Sequence, residues 1–223
     1  MNNDTIHPMD DAVNPPRRYE SPLRAGRALE TRTKIMEAAR MLFLRDGYVS
    51  TSIVNIAREA GVSPQTIYGV FGNKRELLSS LMDVSIGGDA RPLGVLEREE
   101  PQRMREERDQ HEQLRMMARG IREIMDRAGP MFDVMRIAAA TDTEIATAYA
   151  GLQAVRRQNM GRVIGWILAN GPLKPGLSGE EAADILWSLT SADVHRMLRR
   201  ECAWPPERYE RWLGETLIAA LLP

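Results

Sequence analysis

The side chains best suited to chemistry in this sequence lie in a short polar stretch with turn residues at both ends, AGVSPQTIYGVFGNK. The amide of Gln65 can form two hydrogen bonds with the edge of an adenine, and the methyl group of Thr66 can contact that of a thymine. The hydroxyl of Tyr68 and the ammonium of Lys74 can each bind a phosphate, while Gly69 lets the backbone come close to a partner. These residue types predict contact with DNA.

Turn and cap residues place this stretch on the second helix of a helix-turn-helix. Ser63 is a typical helix N-cap, and Pro64 suits the first helical position because its missing N–H costs nothing there. Ile67 and Phe71 are four residues apart and can pack against the preceding helix, so the polar residues between them face outward. In such a motif the second helix lies in the major groove of DNA. A purely structural three-helix unit would need Ile67 and Phe71 equally.

Helical signals continue along the rest of the chain, and no alternating β pattern of useful length appears. Capping boxes are expected at Thr141 with Glu144 and at Ser178 with Glu181. Glycine and proline pairs mark the remaining boundaries, and residues 92–109 are expected to be irregular or weakly helical. The predicted helices cover residues 27–46, about 52–60, 64–71, about 74–87, 110–128, 130–139, 142–169, 179–199 and 206–221.

The sequence therefore predicts an all-α fold with three regions. A flexible arm at residues 1–26 precedes a three-helix helix-turn-helix DNA-binding domain at 27–80 and a larger effector-binding and dimerisation bundle at 81–223. The arm has prolines and little hydrophobic periodicity, which is typical of a segment that cannot fold alone. Its arginines can enter a minor groove beside the recognition site, or they belong to a solvated tail without a partner. These arginines are Arg17, Arg18 and Arg24, with Arg27 at the start of the first helix.

Composition excludes several other classes of protein. The 223 residues have a net charge of −1 and a hydrophobic content of 43%, which suits an ordinary globular core. No apolar run is long enough for a membrane helix and the N-terminus does not resemble a secretory signal, so a cytoplasmic protein without a membrane partner is expected. Cys202 is the only cysteine, which predicts a buried, inert thiol and no disulfide. The three histidines are scattered and no catalytic or phosphate-loop motif occurs, so neither an enzyme nor a cofactor or metal site is expected.

The motif around the polar stretch resembles the N-terminal DNA-binding domain of TetR/AcrR-type transcriptional regulators. The matching residues are Thr51, Val54-x-Ile56-Ala57, Ala60-Gly61-Val62-Ser63 and Thr66-Ile67-Tyr68-x-x-Phe71-x-x-Lys74-x-x-Leu77-Leu78. This resemblance implies phosphate contacts at Thr51, Tyr68 and Lys74. It also implies a base-reading surface made by Ser63, Pro64, Gln65, Thr66, Tyr68 and Gly69. Val70 departs from the aromatic residue or histidine that often precedes the phenylalanine.

A single recognition helix discriminates too little to select one genomic site, because each good base contact contributes only about 1 to 3 kcal/mol. A homodimer on a near-palindromic operator doubles the contacts. The last two predicted helices are apolar over broad faces and are expected to pair with their symmetry mates, although internal packing alone is an alternative. The predicted interface residues are Ile185, Leu189, Trp212, Leu213 and Leu217.

The middle of the chain is expected to enclose a small, largely apolar effector. Flexible thioethers and aromatic rings suit irregular apolar ligands, although a methionine-rich helix more often forms a core. The predicted pocket residues are Met117, Ile121, Met125, Phe132, Met135, Tyr149 and Trp166. The resulting hypothesis is a ligand-responsive regulator, most simply a repressor, that the effector releases from DNA. The alternatives are a helical interaction protein and an enzyme that retains the three helices without binding DNA.

Overall fold

The computed structural model describes residues 22–223, with side chains described from residue 26 onward. It contains ten α-helices over this range and no strand, which confirms the predicted all-α class. Over the same range, no helix combines the length and the apolar character that crossing a membrane requires. The helices are α1 (Pro22–Asp46), α2 (Ile53–Ala60), α3 (Pro64–Phe71), α4 (Lys74–Gly87), α5 (Glu99–Glu106), α6 (Gln110–Ala139), α7 (Thr143–Leu168), α8 (Gly179–Leu189), α9 (Ala192–Arg196) and α10 (Pro206–Leu221).

Helices α1 to α3 and the first half of α4 form a small head with its own apolar core. Each short helix begins at a side-chain cap: Ser52 accepts a hydrogen bond from the N–H of Asn55, and Asn73 accepts one from the N–H of Glu76. Gly61 ends α2 in the left-handed region at φ 65°, which glycine adopts without steric cost. The core of the head is made by Ile35, Ala39, Phe43, Ile56, Ile67, Phe71, Leu77 and Leu78.

The remaining helices form a bundle around α6. Helix α4 leaves the head and packs on α6, which also packs against α7 and α10, while α8 covers α7. The guanidinium of Arg40 in the head donates to the Ser85 hydroxyl and to the carbonyl of Arg127, so it ties α1 to α4 and α6. Buried residues at the centre of the bundle are Leu114, Ile121, Met131, Ile145, Ile164, Ile167, Leu186, Tyr209, Leu213 and Leu217.

Several predicted boundaries were wrong. Helix α1 begins at Pro22, so the last five residues of the predicted flexible arm are helical; the rest of the arm lies outside the described residues. Helix α6 runs through Pro130, where two helices had been predicted, because Ala128, Gly129 and Met131 on either side are buried in the bundle. A proline inside a helix removes one hydrogen bond, and packing here outweighs that loss.

The start of α7 and the end of α8 also differ from the prediction. Asp142, rather than Thr141, caps α7 and accepts from the N–H groups of Glu144 and Ile145. Helix α8 ends at Leu189, and a new cap at Ser191 starts α9. The predicted capping box at Ser178 is confirmed.

Short helical turns occur in two places outside the long helices. A 3₁₀ turn at Val95–Glu97 and α5 lie in the stretch expected to be irregular or weakly helical. A π-helical turn at Met197–Glu201 follows α9 and ends at Cys202. The thiol of Cys202 is exposed, so the prediction of a buried cysteine was wrong.

Candidate DNA-binding site and ligand cavity

Helix α3 is held to the head by one face and exposes the other. Ile67 is completely buried and Phe71 nearly so, and the guanidinium of Arg32 lies 4.4 Å from the centre of the Phe71 ring. On the opposite face Gln65 is exposed, and Tyr68 has 53% of its surface exposed. The exposed face therefore carries an accessible amide and an accessible phenol on a rigidly seated helix.

The first turn of α3 is ordered by a local hydrogen-bond network. The Ser63 hydroxyl oxygen accepts from the N–H of Thr66 at 3.1 Å and lies 2.9 Å from the Thr66 hydroxyl. Pro64 occupies the first helical position, and Gly69 is exposed one turn later. Ser63 and Pro64 thus position the start of the helix, while Thr66 and Gly69 lie along its accessible side.

Lys74 lies beside this face at the first position of α4. Its ammonium is 4.0 Å from the centre of the Tyr48 ring, and the negative face of that ring attracts the positive charge. Partial burial lowers the pKa of Lys74, an effect that Asp142 partly offsets. Tyr48 is itself buried, which raises the pKa of its phenol to about 12. Sequence patterns did not indicate Tyr48, because it lies in the turn after α1 rather than on the recognition helix.

Thr51 differs from the other predicted DNA-binding residues. Its side chain is only 2% exposed. Its hydroxyl is 2.8 Å from the carbonyl oxygen of Gly47 and 3.3 Å from that of Leu42, so it donates inward. The expected hydroxyl–phosphate contact is therefore corrected: Thr51 ties the turn before α2 to the end of α1.

A cavity of about 710 Å³ lies between α4, α6, α7 and the segment that joins α4 to α5. Four of the predicted pocket residues line it: Met117, Ile121, Met125 and Phe132. The other three do not. Met135 is buried one turn beyond Phe132 on α6. Tyr149 and Trp166 flank the part of α7 that lines the cavity, at residues 152–162.

The cavity wall also includes residues that the sequence patterns did not indicate. Further apolar residues come from α5 and α7, and residues 89–98 close one side. Arg156 of α7 is another lining residue. Helical periodicity was the only signal that could have found these α7 residues, and it does not distinguish a cavity from a core. The additional apolar residues are Met104, Leu152 and Met160.

The predicted dimer residues divide into two groups. Leu213 and Leu217 are completely buried within the chain, where α10 packs on α6, so their assignment to an interface with a second copy was wrong. Ile185, Leu189 and Trp212 are half-buried and keep part of their surface accessible.

Comparison with known proteins gives the same assignment for the head. Residues 35–81 match the family model described as bacterial regulatory proteins, tetR family. The regulator TtgR of Pseudomonas putida is 45% identical over 56 residues, which is 25% of this chain and 27% of that protein. The aligned part of the chain thus spans about a quarter of the length of the curated relatives that it matches.

Solved structures share the fold over most of the chain. NalD, the secondary repressor of the MexAB-OprM multidrug efflux pump in Pseudomonas aeruginosa, superposes with a TM-score of 0.66 at 22% identity, covering 88% of this chain and 98% of that one. The SmeT–triclosan complex gives a TM-score of 0.66 at 19% identity, covering 86% and 92%.

The curated relatives that match the head are named as transcriptional regulators. The head has the cap pattern, the buried face and the exposed recognition helix of a helix-turn-helix, and its sequence matches that of the family. The bundle shares the helical fold of the superposed structures. Residues 35–81 therefore form a helix-turn-helix domain that matches the tetR family of bacterial regulatory proteins.

Proposed function

We propose that the protein is a transcriptional repressor that binds a near-palindromic operator as a homodimer and is released by a small, largely apolar effector. The observation that carries this proposal is the exposed face of α3 beside Lys74, on a head whose sequence matches the tetR family. No packing requirement within the head explains the exposed Gln65 and Tyr68.

On DNA, α3 enters the major groove and its polar face meets the base edges. Gln65 reads an adenine through its amide, and Thr66 offers a methyl group to a thymine. Tyr68 donates its hydroxyl to a phosphate, and Lys74 binds a phosphate together with the free N–H groups at the start of α4. Gly69 allows the DNA backbone to approach α3 closely. The polar contacts set the register of the protein on DNA, while Gln65 and Thr66 supply sequence preference.

A second copy is needed because one α3 covers too few base pairs to select a site. The accessible parts of Ile185, Leu189 and Trp212 on α8 and α10 provide the apolar surface for that contact. Two copies related by a two-fold axis would present two α3 helices to successive major grooves, roughly one helical turn of DNA or a multiple of it apart.

Helix α4 links the operator to the cavity. It begins at Lys74 beside the recognition helix, and Asp83 and Val84 near its other end line the cavity wall. A ligand that prefers a different position of α4 lowers DNA affinity by its differential affinity for the two conformations, typically about 1 to 3 kcal/mol. NalD is the secondary repressor of an efflux pump and SmeT forms a complex with triclosan, which supports repression and ligand response as the mode of action.

The DNA proposal is tested by fluorescence anisotropy with the DNA upstream of the gene for this protein, over a series of salt concentrations. Binding that neutralises phosphates must weaken as salt increases, with a slope that scales with the number of contacts. Lys74→Ala should weaken binding and reduce that slope by about one for each protomer. Lys174→Ala removes an exposed lysine in the loop before α8 and is the matched control. Equal slopes for both variants would contradict a phosphate contact at Lys74.

The dimer and the effector response have separate tests. Sedimentation equilibrium should give twice the mass of one chain, and Ile185→Glu should give a monomer because a charge on an apolar contact is desolvated without a partner. Ligands that fill the cavity should lower operator affinity in the same anisotropy assay. A monomeric wild-type protein with full operator affinity would overturn the dimer.

A further inference from the structure

Within the part of the chain that the structure describes, Arg156 on α7 is a largely buried cation without an acidic partner. Its guanidinium donates to the carbonyl oxygen of Trp187 and, at 2.7 Å, to the hydroxyl of Thr190, and both acceptors are neutral. Among the described residues, no carboxylate oxygen lies within 4.0 Å of it. Burial lowers the pKa of Arg156 to about 10, so the side chain is still charged at neutral pH but poorly solvated.

Of the five other arginines that line the same cavity, Arg91, Arg98 and Arg119 are paired with acidic residues, Arg32 donates to the hydroxyl of Ser80 and lies over the Phe71 ring, and Arg162 is solvated. Arg98 forms an ion pair with Asp89 at 3.0 Å, and Arg119 lies 3.6 Å from Glu210. Arg162 is exposed. Buried charges in proteins are normally paired, because desolvating an unpaired charge is costly. The acidic partner that the surroundings of Arg156 require is missing from the described residues.

The rest of the cavity wall indicates the chemistry of the molecule that would carry this acidic group. Methionines from α5, α6 and α7 surround the cavity together with Phe132 and branched aliphatic residues. A volume of about 710 Å³ falls within the usual size range of small-molecule sites. Flexible thioethers adapt to an irregular apolar body. The cavity wall is thus largely apolar, and Arg156, whose buried charge has no acidic partner among the described residues, is one of its lining residues.

We propose that the effector is an amphipathic monoanion, with an apolar body against the methionine wall and a single carboxylate paired with Arg156. This inference rests on the proposed function of the cavity as the effector site. A carboxylate matches the planar fork of a guanidinium and neutralises its single charge. A doubly charged phosphate monoester would leave one negative charge uncompensated in an apolar enclosure, so carboxylates are favoured over phosphates.

The test uses four ligands that share one alkyl chain and differ only in the head group: decanoate, decyl phosphate, decanol and decyltrimethylammonium. Calorimetry with the full-length protein, without DNA, measures each affinity at mildly alkaline pH. Decanoate should bind roughly tenfold or more tightly than decanol, because a hydrogen bond to a charged group contributes more than one between neutral groups. Decyl phosphate should bind more weakly than decanoate, and decyltrimethylammonium should bind most weakly.

Two variants assign the preference to Arg156. In Arg156→Met, the affinity for decanoate should fall to that for decanol, while decanol binds as it does to the wild type. Arg157→Met is the matched control on the next position of α7: it removes an arginine paired with Asp184 that does not line the cavity, and it should leave the preference intact. If Arg156→Met does not fold, Arg156→Gln replaces the charge by a neutral donor and should also abolish the preference.

The inference is overturned if decanoate and decanol bind equally to the wild type, or if Arg156→Met and Arg156→Gln keep the preference because the arginine only anchors α7 to the end of α8. A preference for decyl phosphate would overturn the choice of a monoanion. These outcomes do not depend on operator binding. A protein that shifts DNA and binds decanol without preferring decanoate leaves the proposed function standing and removes only the anionic effector.

Discussion

The head and the bundle build their binding sites in different ways. In the head, the polar face of α3 is set by residues within a single stretch: Ser63 caps the helix, Ile67 and Phe71 seat it, and Tyr68 projects outward. In the bundle, the cavity is lined by residues from five helices and a connecting segment. The partners that hold Arg156 in that wall are Trp187 and Thr190, more than thirty residues later in the chain.

This difference shows which kind of binding site can be predicted from local sequence. Eight-residue helices are too short to form alone, so they need strong caps and a small core, and both can be recognised in the sequence. Long helices gain most of their stability from packing, so their sequences record an apolar face without stating whether that face meets a neighbour or an empty volume.

The largest expected effect on stability comes from a substitution in the core of the head. Phe71→Ala should lower the free energy of unfolding by about 3 to 5 kcal/mol, because it leaves a cavity beneath α3 and removes the ring over which Arg32 lies. Urea denaturation followed by circular dichroism measures the loss. Val70→Ala alters an exposed neighbour and should change stability by less than about 0.5 kcal/mol. A similar loss in both variants would mean that α3 is not held by Phe71.

Ser63 in the head and Ser178 in the bundle are equivalent helix caps, so the same substitution can be compared in both regions. Ser63→Ala and Ser178→Ala should each cost about 1 kcal/mol of stability, since each removes the acceptor for an N–H in the first turn of its helix. Only Ser63→Ala should also weaken operator binding, because it loosens the start of the recognition helix. Urea denaturation and DNA anisotropy separate the two effects. Equal weakening of DNA binding by Ser178→Ala would show that the head does not position α3 by itself.

Tyr68→Phe tests the DNA-binding role of the head separately from its stability. The phenol of Tyr68 is exposed and has no hydrogen-bond partner among the described residues, so the free energy of unfolding should be unchanged. Loss of a phosphate hydrogen bond should weaken operator binding by about 0.5 to 1.5 kcal/mol for each protomer. Anisotropy titrations at constant salt measure this change. Unchanged affinity would remove Tyr68 from the DNA-binding surface.

The smallest expected effect is a pH dependence that arises in the bundle. Burial lowers the pKa of His195 below its ordinary value of 6.5, although the hydrogen bond to Asp126 opposes the shift; Arg199 and Arg200 lower it further. The unfolded chain therefore binds a proton at a higher pH than the folded chain does. The contribution of His195 to the free energy of unfolding is fully present above about pH 6.5. It decreases as the pH falls from there to the pKa of His195 in the folded state.

Thermal unfolding at a series of pH values measures this dependence. His195→Gln should flatten the decrease below about pH 6.5. His111→Gln changes an exposed histidine on α6 and should leave the decrease as it is in the wild type. A wild-type stability that rises as the pH falls through this window would reverse the predicted sign.

Much of the fold could be predicted because its signals are local. Capping residues, glycines and apolar spacing indicated the all-α class, the three-helix head and most helix ends. The errors occurred where distant packing outweighs a local signal. Pro130 predicts a helix boundary, but buried neighbours on both sides keep α6 continuous. Thr51 has a hydroxyl suited to a phosphate, yet the end of α1 lies close enough to accept its hydrogen bond.

The sequence by itself determined the recognition helix, because its cap, its buried face and its polar face lie within fifteen residues whose periodicity distinguishes them. Only the tertiary structure decided which methionines line a cavity, that Leu213 and Leu217 belong to the interior, and that Arg156 has no acidic partner among the described residues. The physical reason is that burial and pairing depend on side chains brought together from distant parts of the chain, and helical periodicity contains no information about which of them meet.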